Sequence, residues 1–408
     1  MLSAACAAAV TLAGCGSAPA PTPVDTEVAL KSLAGRGYRA DRQFAIIALR
    51  ETWRAGETSL DVSLVAPAQP GSFPLIVYLP GLGESAAAGI LWRQAWAEAG
   101  YAVLTIQDTA SAEAVWASAQ ARAGDFRALA RQHFSANSLR ARLAQVEAAL
   151  AELGRRAAAG GTPYAAVDAR RMAVAGFDLG AQTAAALAGE QTSRVGRQGM
   201  GANVRAAILL SPYVEPSGRD AARRFAAMKA PILSVTGTED ADPFGLVTTP
   251  ARRLAPWQAM PPGGKYLLVL SGGTHSVLAG GGLAEAGGPA APPGEAGNRG
   301  AAAPRTGGHG QHLNGSPRSG ALPDLRAGGH GGGSHGGASA PATEHPAGHD
   351  GRRENLGPRP FEPRHIVAVR SVTTAFLDAT LKDDAAARHW LAHDAASGLG
   401  ASASLEAR

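Results

Sequence analysis

Only two of the 408 residues are cysteine, and both, Cys6 and Cys15, fall within the first fifteen positions. A disulfide-stapled fold is thereby excluded, and stability must come from an apolar core. Charge of one sign is also scarce: 38 basic residues, nearly all Arg, face 33 acidic ones, a net of +5 scattered without runs. No electrostatic footprint for nucleic acid follows from that balance. The apolar stretch at the N-terminus is too short to span a bilayer. No G-x-G-x-x-G follows a strand signal, no P-loop occurs, and no structured His/Cys spacing is present, so neither cofactor nor metal is expected.

The two unusual segments lie near the ends. The start, MLSAACAAAVTLAGCGS, finishes its apolar run at Leu12-Ala13-Gly14-Cys15 and resembles the bacterial lipoprotein signal, in which the cysteine after small residues is lipidated. That resemblance implies a signal peptide over 1–15, lipidation at Cys15, and a tether and lead-in over 16–40. It also implies a soluble domain exported to the bacterial cell envelope and held to a membrane by its lipid. An unstructured Ala-rich tail is the plainer alternative. From 280 to 360 the chain becomes rich in Gly and Pro and holds His309, His312, His330, His335, His345 and His349. With almost no aromatic or β-branched residues it cannot offset its ordering entropy, and it is expected to be a disordered insert. Its irregular histidine spacing reads as low complexity, with weak metal binding the alternative.

Between these segments strand and helix signals alternate. QFAIIALRE and SLDVSLVAPA read as antiparallel-type strands, and FPLIVYLP, YAVLTIQ, RRMAVAG, VRAAILLS, PILSVTG and KYLLVLSGG as short apolar strands bounded by turn residues. NSLRARLAQVEAALAELGRRA and LGAQTAAALAGE have helical period. The pattern predicts an α/β fold with a mostly parallel central sheet flanked by helices. A core over 41–279 is completed by a C-terminal helix over 361–396 and followed by a tail over 397–408. Sites on such sheets belong at the carboxyl ends of the strands.

At one such end stands Gly176-Phe177-Asp178-Leu179-Gly180. The glycines permit the crowded turn of a nucleophile elbow, and Asp178 occupies its apex. Asp240 follows the PILSVTG strand and His275 follows KYLLVLSGG, so an elbow residue, an acid and a histidine succeed one another on successive strand ends. Each has a plainer reading. Asp178 could cap the next helix, His275 could be a loop histidine bonded to backbone, and Glu239 or Asp242 could replace Asp240 as the acid.

With these motifs the chain resembles the α/β-hydrolase superfamily, in particular its capless bacterial branch of dienelactone hydrolases, platelet-activating-factor acetylhydrolase-like enzymes and cutinase-like polyester hydrolases. The carrying stretches are LIVYLPGLGES, WAEAGYAVLTIQDT, DARRMAVAGFDLGAQTAA, PILSVTGTEDADP, LSGGTHS and the final HIVAVRSVTTAFLDATLKDDAAARHWL. The resemblance implies an α/β-hydrolase fold with no obvious cap domain. It further implies Asp178 at the nucleophile position, Asp240 as acid, His275 as base, and backbone amides of Leu82 and Leu179 as an oxyanion hole. The branch reads G-H-S-x-G at the elbow, whereas this chain has Phe177 and Asp178 in place of the His and Ser.

A carboxylate at the elbow changes the chemistry. It is ionised without help and displaces a leaving group at a saturated carbon, after which His275 and Asp240 activate water against the covalent ester. Dehalogenases and epoxide hydrolases of this fold work so. On a carboxylic ester its charge would stand near the forming oxyanion. The expected function is hydrolysis of ester-like or other small hydrophobic substrates. The alternatives are an Asp-nucleophile dehalogenase or epoxide-hydrolase type of enzyme, a catalytically silent protein that binds a hydrophobic ligand, and a hydrolase whose serine is Ser85 or Ser276.

Overall fold

A computed structural model describes residues 35–55, 58–108, 114–191, 204–213, 221–281 and 362–408. The expected signal segment with Cys15, most of the expected tether, and nearly all of the Gly/Pro/His-rich segment lie outside the described residues. Among the described residues no helix is long and apolar enough to cross a membrane.

The strands are β1 (Ile46–Ala55), β2 (Thr58–Pro67), β3 (Phe73–Leu79), β4 (Ala102–Asp108), β5 (Val167–Phe177), β6 (Val204–Leu210), β7 (Ile232–Glu239), β8 (Lys265–Thr274) and β9 (Ala403–Ala407). They form one nine-stranded sheet in the order β1-β2-β4-β3-β5-β6-β7-β8-β9. β1, β2 and β4 pair antiparallel. From β4 through β3, β5, β6 and β7 to β8 every pairing is parallel, and β9 closes the far edge antiparallel to β8. The mostly parallel α/β architecture expected from the sequence is therefore present. The tail expected over 397–408 is not: Ala403–Ala407 is an edge strand, whose Ala403 is buried against the core while Ser404 faces water.

Helices cover both faces. In chain order those used below are α1 (Ile90–Glu98), α2 (Ala119–Arg122), α3 (Phe126–His133), α4 (Ala136–Ala158), α5 (Leu179–Leu187), α6 (Ala221–Phe225), α7 (Ala255–Ala259), α8 (His275–Leu278) and α9 (Pro363–Leu381). Successive strand residues point to opposite faces, so the sheet feeds two cores. Ile76, Tyr78, Ala175 and Ile208 join Trp92 and Trp96 of α1 and Val372 and Phe376 of α9. Leu75, Val77, Val174 and Leu209 join Leu139, Leu143 and Val146 of α4 and Ala184 of α5. The C-terminal helix expected to run to 396 ends at Leu381, because Asp383 takes a left-handed φ of 57°. Asp384 then caps a new short helix, Ala385–His389, by accepting from the Ala387 amide.

One buried polar knot ties distant parts of the chain. Asp378 of α9 accepts from the Tyr38 hydroxyl at 2.9 Å and the Tyr101 hydroxyl at 2.6 Å. Lys382 pairs with the same carboxylate at 2.7 Å.

Sequential strands proceed in one direction from β3 to β4 and in the other from β3 to β5, β6, β7 and β8. Such a reversal leaves a crevice at the carboxyl ends of the flanking strands, where α/β proteins place their sites.

Candidate active site

Asp178 joins β5 to α5 with φ 50° and ψ −106°. A non-glycine residue in that region costs about 1–3 kcal/mol and persists only where its surroundings impose it. Here the imposition is steric. A Cβ on Gly180 would stand 1.9 Å from the Leu79 carbonyl oxygen, and one on Gly176 would stand 2.2 Å from the Gly180 oxygen. Only glycines let α5 start so close to the ends of β3 and β5. The Asp178 amide donates to the Leu210 carbonyl at 3.0 Å and fixes the turn to β6.

The Asp178 side chain does not cap α5, which removes the helix-capping alternative. The residue is only 2% exposed. Burial pushes its pKa up and Asp242 adds to the rise, while His275, Arg253 and the Leu179 amide work against it. The net direction is upward.

Asp240 lies just past β7 and is fully buried. His275 donates from Nδ1 to Asp240 Oδ1 at 2.8 Å. This approach also has a steric origin, since a Cβ on Gly237 would meet the Gly273 oxygen at 2.0 Å. The other carboxylate oxygen accepts from Thr236 Oγ1 at 2.8 Å and from Ser211 Oγ. Burial opposes the charge of Asp240, but His275, Arg253 and Ser211 outweigh it and hold the carboxyl below its usual range. An ionised Asp240 keeps the proton of His275 on Nδ1 and leaves Nε2 as the nitrogen with the free lone pair. Phe177, in the position expected to hold a histidine in the hydrolase pattern, packs its ring against His275 with centroids 4.8 Å apart.

The three residues expected to form a catalytic set are thus brought together. The competing acids separate cleanly. Glu239 is exposed at the end of β7. Asp242 caps a turn, accepting from the amides of Phe244 at 3.0 Å, Leu246, and Val247 at 3.2 Å. Ser85 and Ser276 are exposed. Ser85 accepts from the Ala87 amide and Ser276 bonds Thr274, so neither serves His275.

Leu82 and Leu179, expected to supply oxyanion amides, lie in one buried apolar cluster with Val115, Leu129, Phe134 and Leu246. The loop carrying Leu82 is pinned from three sides. Glu84 accepts from the Gly81 amide at 2.7 Å, Trp116 donates to the Gly83 carbonyl at 3.0 Å, and the buried Arg93 donates to the Ala86 and Ala88 carbonyls, each at 3.1 Å. The chain between β4 and α4 also packs here: Val115, Leu129 and Phe134 roof the elbow. That short helical cover arises at a connection the sequence patterns did not flag.

Two further residues were missed. Ser211, at the end of β6, adopts φ 52° and sits 3.0 Å from His275 Nδ1 as well as on Asp240. Its position at a strand end was the one available signal. Arg253 is fully buried. It donates to the Asp240 carbonyl at 3.1 Å, the Ser211 carbonyl at 2.9 Å and the Pro212 carbonyl at 3.1 Å, and lies 3.2 Å from the Asp240 carboxylate. Nothing in its local sequence distinguishes it. Behind the elbow, Arg142 of α4 donates to Thr183 at 2.8 Å and Gln182 at 2.6 Å, stapling α4 to α5.

A buried carboxylate on a strained turn therefore faces an imidazole that a second carboxylate orients. Such a set supports attack by Asp178 and activation of water by His275. No family model and no curated protein matches the chain.

Proposed function

We propose that the protein is an α/β-hydrolase-fold hydrolase that uses Asp178 as a covalent nucleophile on small apolar substrates, with His275 as base and Asp240 as the acid that orients it. The observation that carries this reading is the left-handed Asp178 at the β5–α5 turn, set beside the His275–Asp240 pair. The strand order, with β4 outside β3 and the parallel run continuing to β8, supports the fold assignment. In the first step one Asp178 oxygen bonds to an electrophilic carbon and the leaving group departs with the electron pair of its bond. His275 Nε2 then takes a proton from water, whose oxygen attacks the Asp178 carboxyl carbon. Collapse of that adduct frees the product alcohol, which takes back the proton. Amides of Leu82 and Leu179 would serve the oxyanion of this second step. The Leu179 amide already interacts with the Asp178 carboxylate, which favours attack at saturated carbon over attack at a carbonyl. The apolar cluster of Val115, Leu129, Phe134 and Leu246 suits a hydrophobic substrate.

A lipid on Cys15 is proposed to hold the domain at the bacterial envelope. Binding of a hydrophobic ligand without turnover is the second reading, favoured by the near-complete burial of Asp178.

The experiment is a single turnover in oxygen-18 water over a panel of haloalkanes, epoxides and esters, followed by mass analysis of the peptide holding Asp178. Covalent catalysis leaves one solvent oxygen in Asp178, and His275→Ala traps the adduct. Absence of label and turnover, together with ester hydrolysis by Asp178→Ser, supports the binding reading. An active Asp178→Ala variant refutes the elbow argument.

A further inference from the structure

Asp178, Asp242 and His275 each bring one ligand atom to a common point, and these atoms all lie within 4.8 Å of one another. Asp178 is 2% exposed and Asp242 8%. Two dry carboxylates at that separation repel, and burying such charges without a counter-ion is costly. The two arginines that act on Asp178 are also engaged elsewhere: Arg253 donates to three carbonyls and lies beside Asp240, and Arg142 donates to Thr183 and Gln182. The Asp178 side chain makes no capping hydrogen bond to α5. The nearly fully buried Asp178 carboxyl faces this cluster, with His275, Arg253 and the Leu179 amide acting on it.

The histidine is arranged as a ligand. Its Nδ1 is held by Asp240 Oδ1 at 2.8 Å, which frees Nε2. A carboxylate on the far nitrogen is the usual support of a metal-bound imidazole, because it fixes the ring and raises its basicity. Asp242 is likewise oriented, by the amides of Phe244, Leu246 and Val247. Carboxylate oxygens carry two lone pairs each, so these bonds leave acceptor capacity for an ion.

We propose that Asp178, Asp242 and His275 bind a divalent transition-metal ion of the zinc class, with Asp240 positioning the histidine. One imidazole nitrogen with two carboxylate oxygens suits zinc, which takes such ligands at about 2.0–2.2 Å and leaves a fourth position open in three-ligand sites. Magnesium and calcium call for oxygen shells and are disfavoured by the imidazole. An ion there would offset the mutual repulsion of the two carboxylates. Binding does not depend on Asp178 attacking a substrate. An occupied site engages the same carboxylate and so blocks it as a nucleophile.

The test titrates the metal-stripped full chain with Zn²⁺ alone, by calorimetry and by thermal unfolding. Wild type is expected to bind one ion that raises the unfolding midpoint and is removed by chelator. Asp178→Asn, Asp242→Asn and His275→Gln are each expected to weaken that site by about tenfold or more, the scale on which even supporting groups act, and to lose the midpoint shift. His309, His312, His330, His335, His345 and His349 are present in all four proteins, so ions they take contribute equally. Asp242→Asn disturbs a turn, whereas Asp178→Asn leaves that turn intact and keeps the comparison usable. An unchanged wild-type midpoint, or an equal rise in Asp178→Asn and His275→Gln, overturns the proposal and means an adventitious ion only.

Discussion

Replacing Arg253 by Met, which keeps the length of the side chain and removes its donors, tests whether the acid–histidine pair is held by this buried guanidinium. The substitution strips the Asp240, Ser211 and Pro212 carbonyls of a donor and takes a cation from beside the Asp240 carboxylate. Breaking a fully buried pair by removing one partner costs about 3–5 kcal/mol, because the remaining charge stays desolvated. Asp240 keeps His275, Ser211 and Thr236, so the lower end, about 3 kcal/mol, is expected. In a domain of this size each kcal/mol moves the midpoint by about 2–4 °C, giving a fall of about 6–12 °C. The pH dependence carries a second signature. Asp240 has a depressed folded pKa, to which Arg253 contributes, so its stabilisation is present above the unfolded carboxylate value of about 4 and is lost as pH falls through the folded value. Without Arg253 the folded pKa rises, so the deficit of the variant is largest at neutral pH and shrinks in acid. Urea unfolding of wild type and Arg253→Met from neutral pH down to acid measures both effects. A midpoint equal to wild type at neutral pH, or a deficit that grows in acid, refutes the reasoning.

Gly180→Ala should destabilise by about 3 kcal/mol or more, since its Cβ would press on the Leu79 carbonyl at 1.9 Å and overpacking against backbone finds no side chain to yield. Gly154→Ala, on α4 with nothing within 4 Å of the new Cβ, should instead stabilise by about 0.5–1 kcal/mol; a denaturant midpoint that rises for Gly180→Ala, or falls for Gly154→Ala, would contradict the corresponding expectation. Asp178→Asn should abolish turnover yet raise the melting temperature at neutral pH. The raised folded pKa makes ionised Asp178 a burden above that value, so the gain shrinks as pH falls through it and vanishes below the ordinary carboxylate range. A loss of stability at neutral pH would count against the burial argument. On the proposed lipid anchor at Cys15, Cys15→Ser should release the protein from membranes in cell fractionation; a variant that stays with the membranes would sink the lipoprotein reading.

What could be read beforehand was local. The turn around Asp178 announces itself because its two glycines serve contacts a few residues away, and strand ends give Asp240 and His275 by chain order alone. What could not be read depends on residues far apart in sequence. Arg253 has an ordinary surface-like neighbourhood and is buried only because the ends of β6 and β7 close around it. Ser211 ends an apolar run that marks a strand, yet its φ of 52° comes from packing beside β7. The Ala119–Arg122 helix buries none of its own residues, so no hydrophobic stripe signals the cover to which it belongs. β9 is built from ASLEA, a short run without β-branched residues, and only the free edge of β8 makes it a strand.

The knot at Asp378 bears on how the molecule is made. Tyr38 and Asp378 are 340 positions apart, and Tyr101 and Asp378 are 277 apart. Closing loops of that size costs entropy before any contact rewards it, and folds dominated by such contacts form slowly. A ribosome delivers α9 long after Tyr38, Tyr101 and α1, so neither tyrosine finds its carboxylate, and Trp92 and Trp96 lack the α9 side of their core, until that helix has been made. The nascent chain must wait for α9, exposing apolar surface that invites chaperones or proteases in the interval.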